Sequence, residues 1–122
     1  MGEFMQVRAK KILLVDDEAM NSMILTRRLR KQGFIVETAS NGQEAVDYME
    51  QNPKPDVILM DLMMPVMDGW QSSEIIKEKF PDLGIIAVSA KTDEDVSANK
   101  FDEFCSKPVN FDVLLKQIEK FI

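Results

Sequence analysis

Apolar residues along this chain form several short unbroken runs. The three most apolar runs cover residues 11–15, 57–60 and 84–88. Runs of this length are typical of strands that are covered on both faces, as in a parallel sheet between two layers of helices. Residues 34–38 are less apolar and predict an edge strand, and a short last strand is predicted at 102–106.

Between these runs the apolar residues recur at three- and four-residue spacing, which predicts amphipathic helices. Five stretches are predicted as helices: Ala19 to Gly33, Asn41 to about Glu50, Gly69 to about Phe80, a short one from Thr92, and a last one from Asn110. The apolar face of the first is expected to consist of Met20, Met23, Ile24, Leu25 and Leu29. The stretch from Thr92 has few apolar residues, so we expect its helix to be short or irregular.

The alternation of strand and helix, repeated five times, predicts a single α/β domain. Strands that alternate with helices form a parallel, doubly wound sheet with right-handed crossovers. The first and third strands are the strongest candidates for its centre, which gives the flavodoxin-like strand order 2-1-3-4-5 with five helices. In such sheets the chemistry lies at the carboxyl ends of the strands, where the strand order reverses.

Composition narrows the range of functions. The chain has 122 residues and a net charge of −6, which argues against nonspecific binding of nucleic acid or anionic membranes. There is no histidine and one cysteine, Cys105, so Ser-His and Cys-His catalysis and internal disulfides are excluded. No stretch has the length of a membrane span, and a reduced, cytoplasmic location is expected. Residues 1–4 resemble the remnant of a cloning site, and the domain is expected to span 5–122.

Polar side chains directly follow four of the predicted strands: Asp16 and Asp17, Asp61, Ser89, and Lys107. The carboxyl ends of parallel strands lie at one edge, so these groups are expected to converge. Three close carboxylates repel one another unless a cation neutralises them, and oxygen-only ligands favour Mg²⁺. A lysine and a hydroxyl beside that metal can neutralise a phosphoryl group, which Asp61 can accept as an acyl phosphate.

Four short motifs carry a resemblance to a known family. They are Val-Asp-Asp-Glu at 15–18, Asp-Leu-Met-Met-Pro-Val-Met-Asp-Gly at 61–69, Val-Ser-Ala at 88–90 and Ser-Lys-Pro at 106–108. Each motif is common by itself, but the four stand in order and each closes a predicted strand. From Lys11 to Ile122 the sequence resembles the receiver domains of response regulators, the chemotaxis-regulator-like domains of two-component signalling.

The resemblance implies a phosphorylation-switched signalling domain that assists its own phosphotransfer and dephosphorylation rather than an enzyme. Asp61 would be the phosphoacceptor, and its donor a histidine of a sensor kinase or of a histidine phosphotransfer protein. Mg²⁺ would be bound by Asp16, Asp17, Asp61 and the backbone carbonyl of Met63.

The resemblance also implies how the domain would respond to phosphorylation. Ser89, the backbone of Ala90 and Lys107 would contact the phosphoryl group. Phe104 stands at the family's aromatic switch position and would turn inward when Ser89 moves. The bond before Pro108 is a candidate cis peptide.

One stretch departs from the family pattern. Between Ser89 and Lys107 the chain is shorter than expected by about one helical turn, roughly four residues. Asn99-Lys100-Phe101 stands where a Gly-Ala pair usually precedes the last strand. This departure again predicts a short or irregular fourth helix.

Three other functions were weighed against the phosphoacceptor hypothesis. A receiver fold with a silent site, acting as a phosphate-independent interaction module, is the leading alternative because the fourth helix is shortened. A phosphatase of the haloacid dehalogenase type needs a second Asp two residues after the nucleophile, where Met63 stands. A flavodoxin-like flavin site is disfavoured because Asp16, Asp17 and Glu18 would repel the flavin phosphate.

Overall fold

The computed structural model describes residues 9–90 and 101–122, in which strands and helices alternate along the chain. The strands and helices are β1 (Lys11–Val15), α1 (Ala19–Lys31), β2 (Ile35–Ala39), α2 (Gly42–Gln51), β3 (Val57–Asp61), α3 (Gly69–Lys79), β4 (Gly84–Ser89), β5 (Glu103–Ser106) and α4 (Phe111–Glu119). The helix predicted from Thr92 lies outside the described residues.

The five strands form one parallel sheet in the order β2-β1-β3-β4-β5, which confirms the predicted topology. In the pairing of β1 with β3, Leu14 lies opposite Leu59, and in the pairing of β3 with β4, Leu59 lies opposite Ile86. Every residue of β3 and β4 is buried. The unbroken apolar runs therefore mark strands that are covered by helices on both faces.

Alternate residues of the central strands supply two separate cores, because successive side chains in a strand point to opposite faces. Ile12, Leu14 and Leu59 pack with Leu114 and Ile118 of α4 and with Leu29 of α1. Leu13, Ile58 and Met60 pack on the other face, with Ile76 of α3 and Met49 of α2. Each fully buried Leu or Ile contributes about 1.5–3 kcal/mol of transfer free energy, so both cores stabilise the sheet.

The first helix is less buried than its apolar pattern predicts. Leu29 is buried and Leu25 is partly buried against the core, but Met20, Met23 and Ile24 are 64%, 45% and 52% exposed. These three residues lie in the first half of α1, which follows the carboxyl end of β1. The apolar spacing predicted the helix correctly, but three of the five residues of its expected buried face are exposed.

Three helices begin at residues whose side chains satisfy a free backbone N–H group. The side chains of Asn41, Asp68 and Asn110 accept hydrogen bonds from the N–H groups three residues later, at 2.8–3.2 Å. The carboxylate of Glu44 returns to the N–H of Ser40 at 2.8 Å, one residue before the cap. The predicted pairing of Asn41 with Glu44 thus fixes the start of α2.

The start of α2 also anchors the loop that follows β3. The N–H of Gly42 donates to the carbonyl of Met67 at 3.0 Å, and the Ser72 hydroxyl donates to the Gly42 carbonyl at 2.9 Å. A Cβ atom added at Gly42 would lie 2.9 Å from the backbone oxygen of Asp68 and 2.9 Å from the Cβ of Ser72. Only glycine permits this approach of α2 to the loop.

We predict that Gly42→Ala lowers the free energy of unfolding by about 1–3 kcal/mol, because the added methyl meets backbone that cannot rotate away. Urea unfolding followed by circular dichroism measures the change. Gln43→Ala, at the next, exposed position of α2, is the control and should change stability by less than about 0.5 kcal/mol. Equal losses in the two variants would show that the contact at Gly42 is not tight.

Candidate functional site

The carboxyl ends of β1, β3 and β5 bring two acids and one lysine together. Asp61, the last residue of β3, is 6% exposed, and Asp16 directly follows β1. The Nζ of Lys107 lies 3.4 Å from Oδ2 of Asp61 and 3.6 Å from Oδ2 of Asp16. The register of the sheet explains this arrangement, because Val15 pairs with Met60 and the next residue of each chain segment is the acid.

A third carboxylate completes the cluster. Asp16, Asp17 and Asp61 each offer an oxygen, and these oxygens lie within 4.8 Å of one another. Clustered carboxylate oxygens are the donor set that hard divalent cations such as Mg²⁺ take in proteins, so these residues fit such an ion. Asp17, Asp61 and Lys107 line a cavity of about 590 Å³, the acidic cavity. The exposed Met63, two residues beyond Asp61, also lines it.

Backbone contacts hold the first two acids in place. The N–H of Asp16 donates to the carbonyl of Ala39 at 3.1 Å, which ties the residue to the end of β2. The N–H of Glu18 donates to Oδ1 of Asp16 at 2.8 Å, and the Asn21 side chain donates to the Glu18 carboxylate. These contacts leave Oδ2 of Asp16 facing Lys107.

Burial sets the acidity of Asp61. Loss of water around the carboxylate raises its pKa, the neighbouring charge of Lys107 lowers it, and the charge of Asp16 raises it. The net result is a pKa above the ordinary value of 3.8. An ionised Asp61 in this site therefore gains from additional positive charge.

The loop from Leu62 to Asp68 is closed by its own backbone. The N–H of Gly69 donates to the carbonyl of Leu62 at 2.9 Å, and a Cβ atom at Gly69 would meet the backbone oxygen of Asp61. Val66 has a φ of 71°, which is uncommon for a β-branched residue, and it is 80% exposed. The sequence does not predict the positive φ of Val66, because the usual signal for it is a glycine at that position.

The other predicted site residues lie around the same edge. Ser89 is buried at the end of β4, and its carbonyl accepts from the N–H of Lys107 at 2.8 Å. Ala90 lines the cavity with Asp61. Phe104 packs in a small cluster with Leu62, Ala87, Trp70 and Phe101. The Lys107–Pro108 peptide bond is cis.

A family model for the response regulator receiver domain matches residues 12–119. The chain belongs to this family. Receiver domains act in two-component and phosphorelay systems, and this one has an acidic cluster at the carboxyl edge of its sheet. Among residues 9–90 and 101–122, no helix is both long and apolar enough to cross a membrane.

Curated relatives of this receiver domain include much larger proteins. Hybrid signal transduction histidine kinase M of Dictyostelium discoideum is 34% identical over 91% of this chain and 5% of its own length. Two-component system protein A of Emericella nidulans is 37% identical over 92% of this chain and 17% of its own length. The chain thus spans a minor part of the curated relatives that it matches.

Solved structures agree with the family assignment. The response regulator TrrA from Thermotoga maritima, solved in complex with Mg²⁺-BeF, is 32% identical and superposes with a TM-score of 0.86, covering 93% of this chain and 99% of TrrA. The receiver domain of a Saccharomyces cerevisiae response regulator, solved with a histidine phosphotransfer signaling protein, is 26% identical with a TM-score of 0.83, covering 93% of this chain and 88% of that chain.

We predict that Asp61→Asn stabilises the metal-free protein at pH 7. Because the pKa of Asp61 is raised on folding, its contribution to stability is full below the unfolded value of 3.8 and is lost as the pH rises through the folded pKa. The uncharged Asn avoids that loss, so the gain in free energy of unfolding should shrink as the pH falls toward 3.8.

Urea unfolding of both proteins in EDTA at several pH values measures this gain. Glu37→Gln is the control, since it removes one exposed negative charge from the edge strand β2. If both variants gain equally, relief of net charge rather than burial of Asp61 explains the stabilisation.

Proposed function

We propose that Asp61 of this receiver domain accepts a phosphoryl group from a phosphohistidine of a partner protein. The observation that carries the proposal is the convergence of Asp61 with Lys107, Asp16 and Asp17 at the carboxyl edge of the sheet. The Asp61 carboxylate is largely buried at the carboxyl end of β3. It lines the acidic cavity, through which a donor side chain can reach it.

The transfer is a displacement at phosphorus. A carboxylate oxygen of Asp61 forms the new P–O bond, the P–N bond to the donor imidazole breaks, and its electron pair stays on the imidazole nitrogen. The Lys107 ammonium, the Ser89 hydroxyl and the N–H of Ala90 surround the phosphoryl oxygens and neutralise their charge. Positioning and charge neutralisation provide most of the catalysis, so the absence of histidine from the chain is no obstacle.

Mg²⁺ is the proposed cofactor. Asp16, Asp17, Asp61 and the backbone carbonyl of Met63 would hold it, and it would supply positive charge to the phosphoryl oxygens. The three clustered carboxylates support this assignment, as does the similar T. maritima structure in complex with Mg²⁺-BeF.

The proposed donor is a histidine kinase or a histidine phosphotransfer protein. Relatives include hybrid histidine kinases, and a similar receiver domain was solved with a phosphotransfer protein. The exposed side chains of Met20, Met23 and Ile24, in the first half of α1, provide an apolar surface for the donor. We further propose that the domain acts in the cytoplasm and assists its own dephosphorylation rather than acting on a separate substrate.

Phosphorylation is proposed to shift the domain between two conformations of similar energy. Ser89 would move toward the phosphoryl group, and Phe104 would turn inward behind it. The small cluster that Phe104 forms with Leu62, Ala87, Trp70 and Phe101 gives the ring alternative packing partners on the sheet edge.

We predict that acetyl phosphate with Mg²⁺ adds one phosphoryl group to the wild-type protein and that Asp61→Asn abolishes the addition, because the nucleophile is gone. Intact mass spectrometry measures the product. Asp56→Asn is the matched control: Asp56 precedes β3 at its opposite end, where its carboxylate accepts from the N–H of Lys11 at 2.7 Å. That variant should be labelled like the wild type.

Labelling of Asp61→Asn at the wild-type level would overturn the assignment of the phosphoacceptor. Failure of the wild type to be labelled, with Asp56→Asn also unlabelled, would instead favour the alternative of a phosphate-independent interaction module.

We also predict a saturable change in Trp70 fluorescence on titration with Mg²⁺, because Trp70 packs against Leu62, the neighbour of Asp61 in sequence. Asp17→Asn removes one ligand and should weaken Mg²⁺ binding by about 10-fold or more. Glu37→Gln, which removes an exposed charge on β2, should leave the titration unchanged. A linear, unsaturable response in the wild type would contradict the proposed metal site.

A further inference from the structure

A second cavity shares Asp61, Ala90 and Lys107 with the acidic one and lies between α1 and the turn that leads from β5 into α4. Its volume is about 480 Å³, within the range of about 300–1,000 Å³ typical of ligand pockets. Most of its wall is apolar and is formed by Leu14, Leu59, Val88, Ile24, Leu25 and Val109. The phosphoacceptor function proposed above gives no role to the inner wall formed by Leu14, Leu59 and Val88.

The charges at the two ends of this cavity differ in sign. Asp16, Asp61 and Lys107 stand at one end, where carboxylates outnumber the ammonium. Arg28 stands at the other, with its guanidinium 4.1 Å from the centre of the Phe111 ring. The ion pairs in the described part of the chain are all made by lysines, so Arg28 has no carboxylate partner there.

We propose that this cavity binds a small amphiphilic organic anion. Its apolar body would lie along Leu59, Val88 and Val109, and its carboxylate or sulfonate would pair with Arg28. The N–H donors of the guanidinium match the oxygens of such an anion. The ring of Phe111 stacks on the guanidinium and positions it. The acidic end of the cavity repels an anion, so only this orientation is favourable.

The size and depth of the cavity favour a free ligand over a side chain of a docked helix. The wall includes Leu14 and Leu59, which are 2% and 0% exposed, so the cavity reaches the core of the sheet. Its volume of about 480 Å³ is more than one inserted side chain would fill. An occupant would share the wall formed by Lys107 and Asp61 with the phosphorylation site.

The fluorescent anion 8-anilinonaphthalene-1-sulfonate is a suitable probe, because it joins an aromatic body to one sulfonate. We expect saturable binding at one site per chain in the wild-type protein. Arg28→Gln should weaken binding by about 10-fold, as expected for a lost charge-assisted hydrogen bond. Arg27→Gln removes the neighbouring exposed arginine, which does not line the cavity, and should leave the affinity within about 2-fold.

Competition and mapping complete the test. Decanoate should displace the probe from the wild-type protein and decyltrimethylammonium should not, since only the former carries a negative charge. Amide chemical shifts in NMR spectra should change in α1 and at residues 107–111. Unsaturable binding, equal effects of the two arginine variants, displacement by the cation, or shift changes centred elsewhere would each overturn the proposal. Binding of a helical peptide by the wild-type protein, without binding of the sulfonate probe or of decanoate, would also overturn the proposal.

Discussion

The arrangement of charge at the carboxyl edge of the sheet is the constraint on which the rest of this receiver domain depends. Asp16, Asp17 and Asp61 are held within reach of one another, and Lys107 pairs with two of them. Three carboxylates and one ammonium leave two formal negative charges, which one divalent cation would neutralise. Because burial raises the pKa of Asp61, the ionised site is less stable without an added cation than with one.

The fold tolerates the repulsion between these carboxylates because its two hydrophobic cores are separate from the site. Both faces of β1, β3 and β4 are packed below the level of the acids, and their stabilisation does not change with the charge at the edge. Backbone contacts, such as those of Lys107 with Ser89 and of Gly42 with Met67, connect the site to its surroundings. A phosphoryl group can therefore rearrange the edge while the sheet stays intact.

The two cavities beside Lys107 divide the edge into regions of different chemistry. The acidic one contains Asp17, Ser89 and Met63, whereas the apolar one extends between α1 and α4 toward Arg28. Both include Asp61 and Lys107, so whatever occupies one cavity alters the surroundings of the other. Ile24 of α1 lines the apolar cavity, so a small ligand there would lie beside the helix whose exposed side chains are proposed to contact the donor.

The sequence by itself determined the strand order, the apolar centre of the sheet and the positions of the acids, because the period of apolar residues and the residue after each strand are local properties. It did not determine that Met20, Met23 and Ile24 remain exposed, that Val66 has a positive φ, or that Arg28 covers Phe111 beside a cavity. These features depend on how a helix packs against the sheet and on which chain segments meet, and only packing in three dimensions decides that.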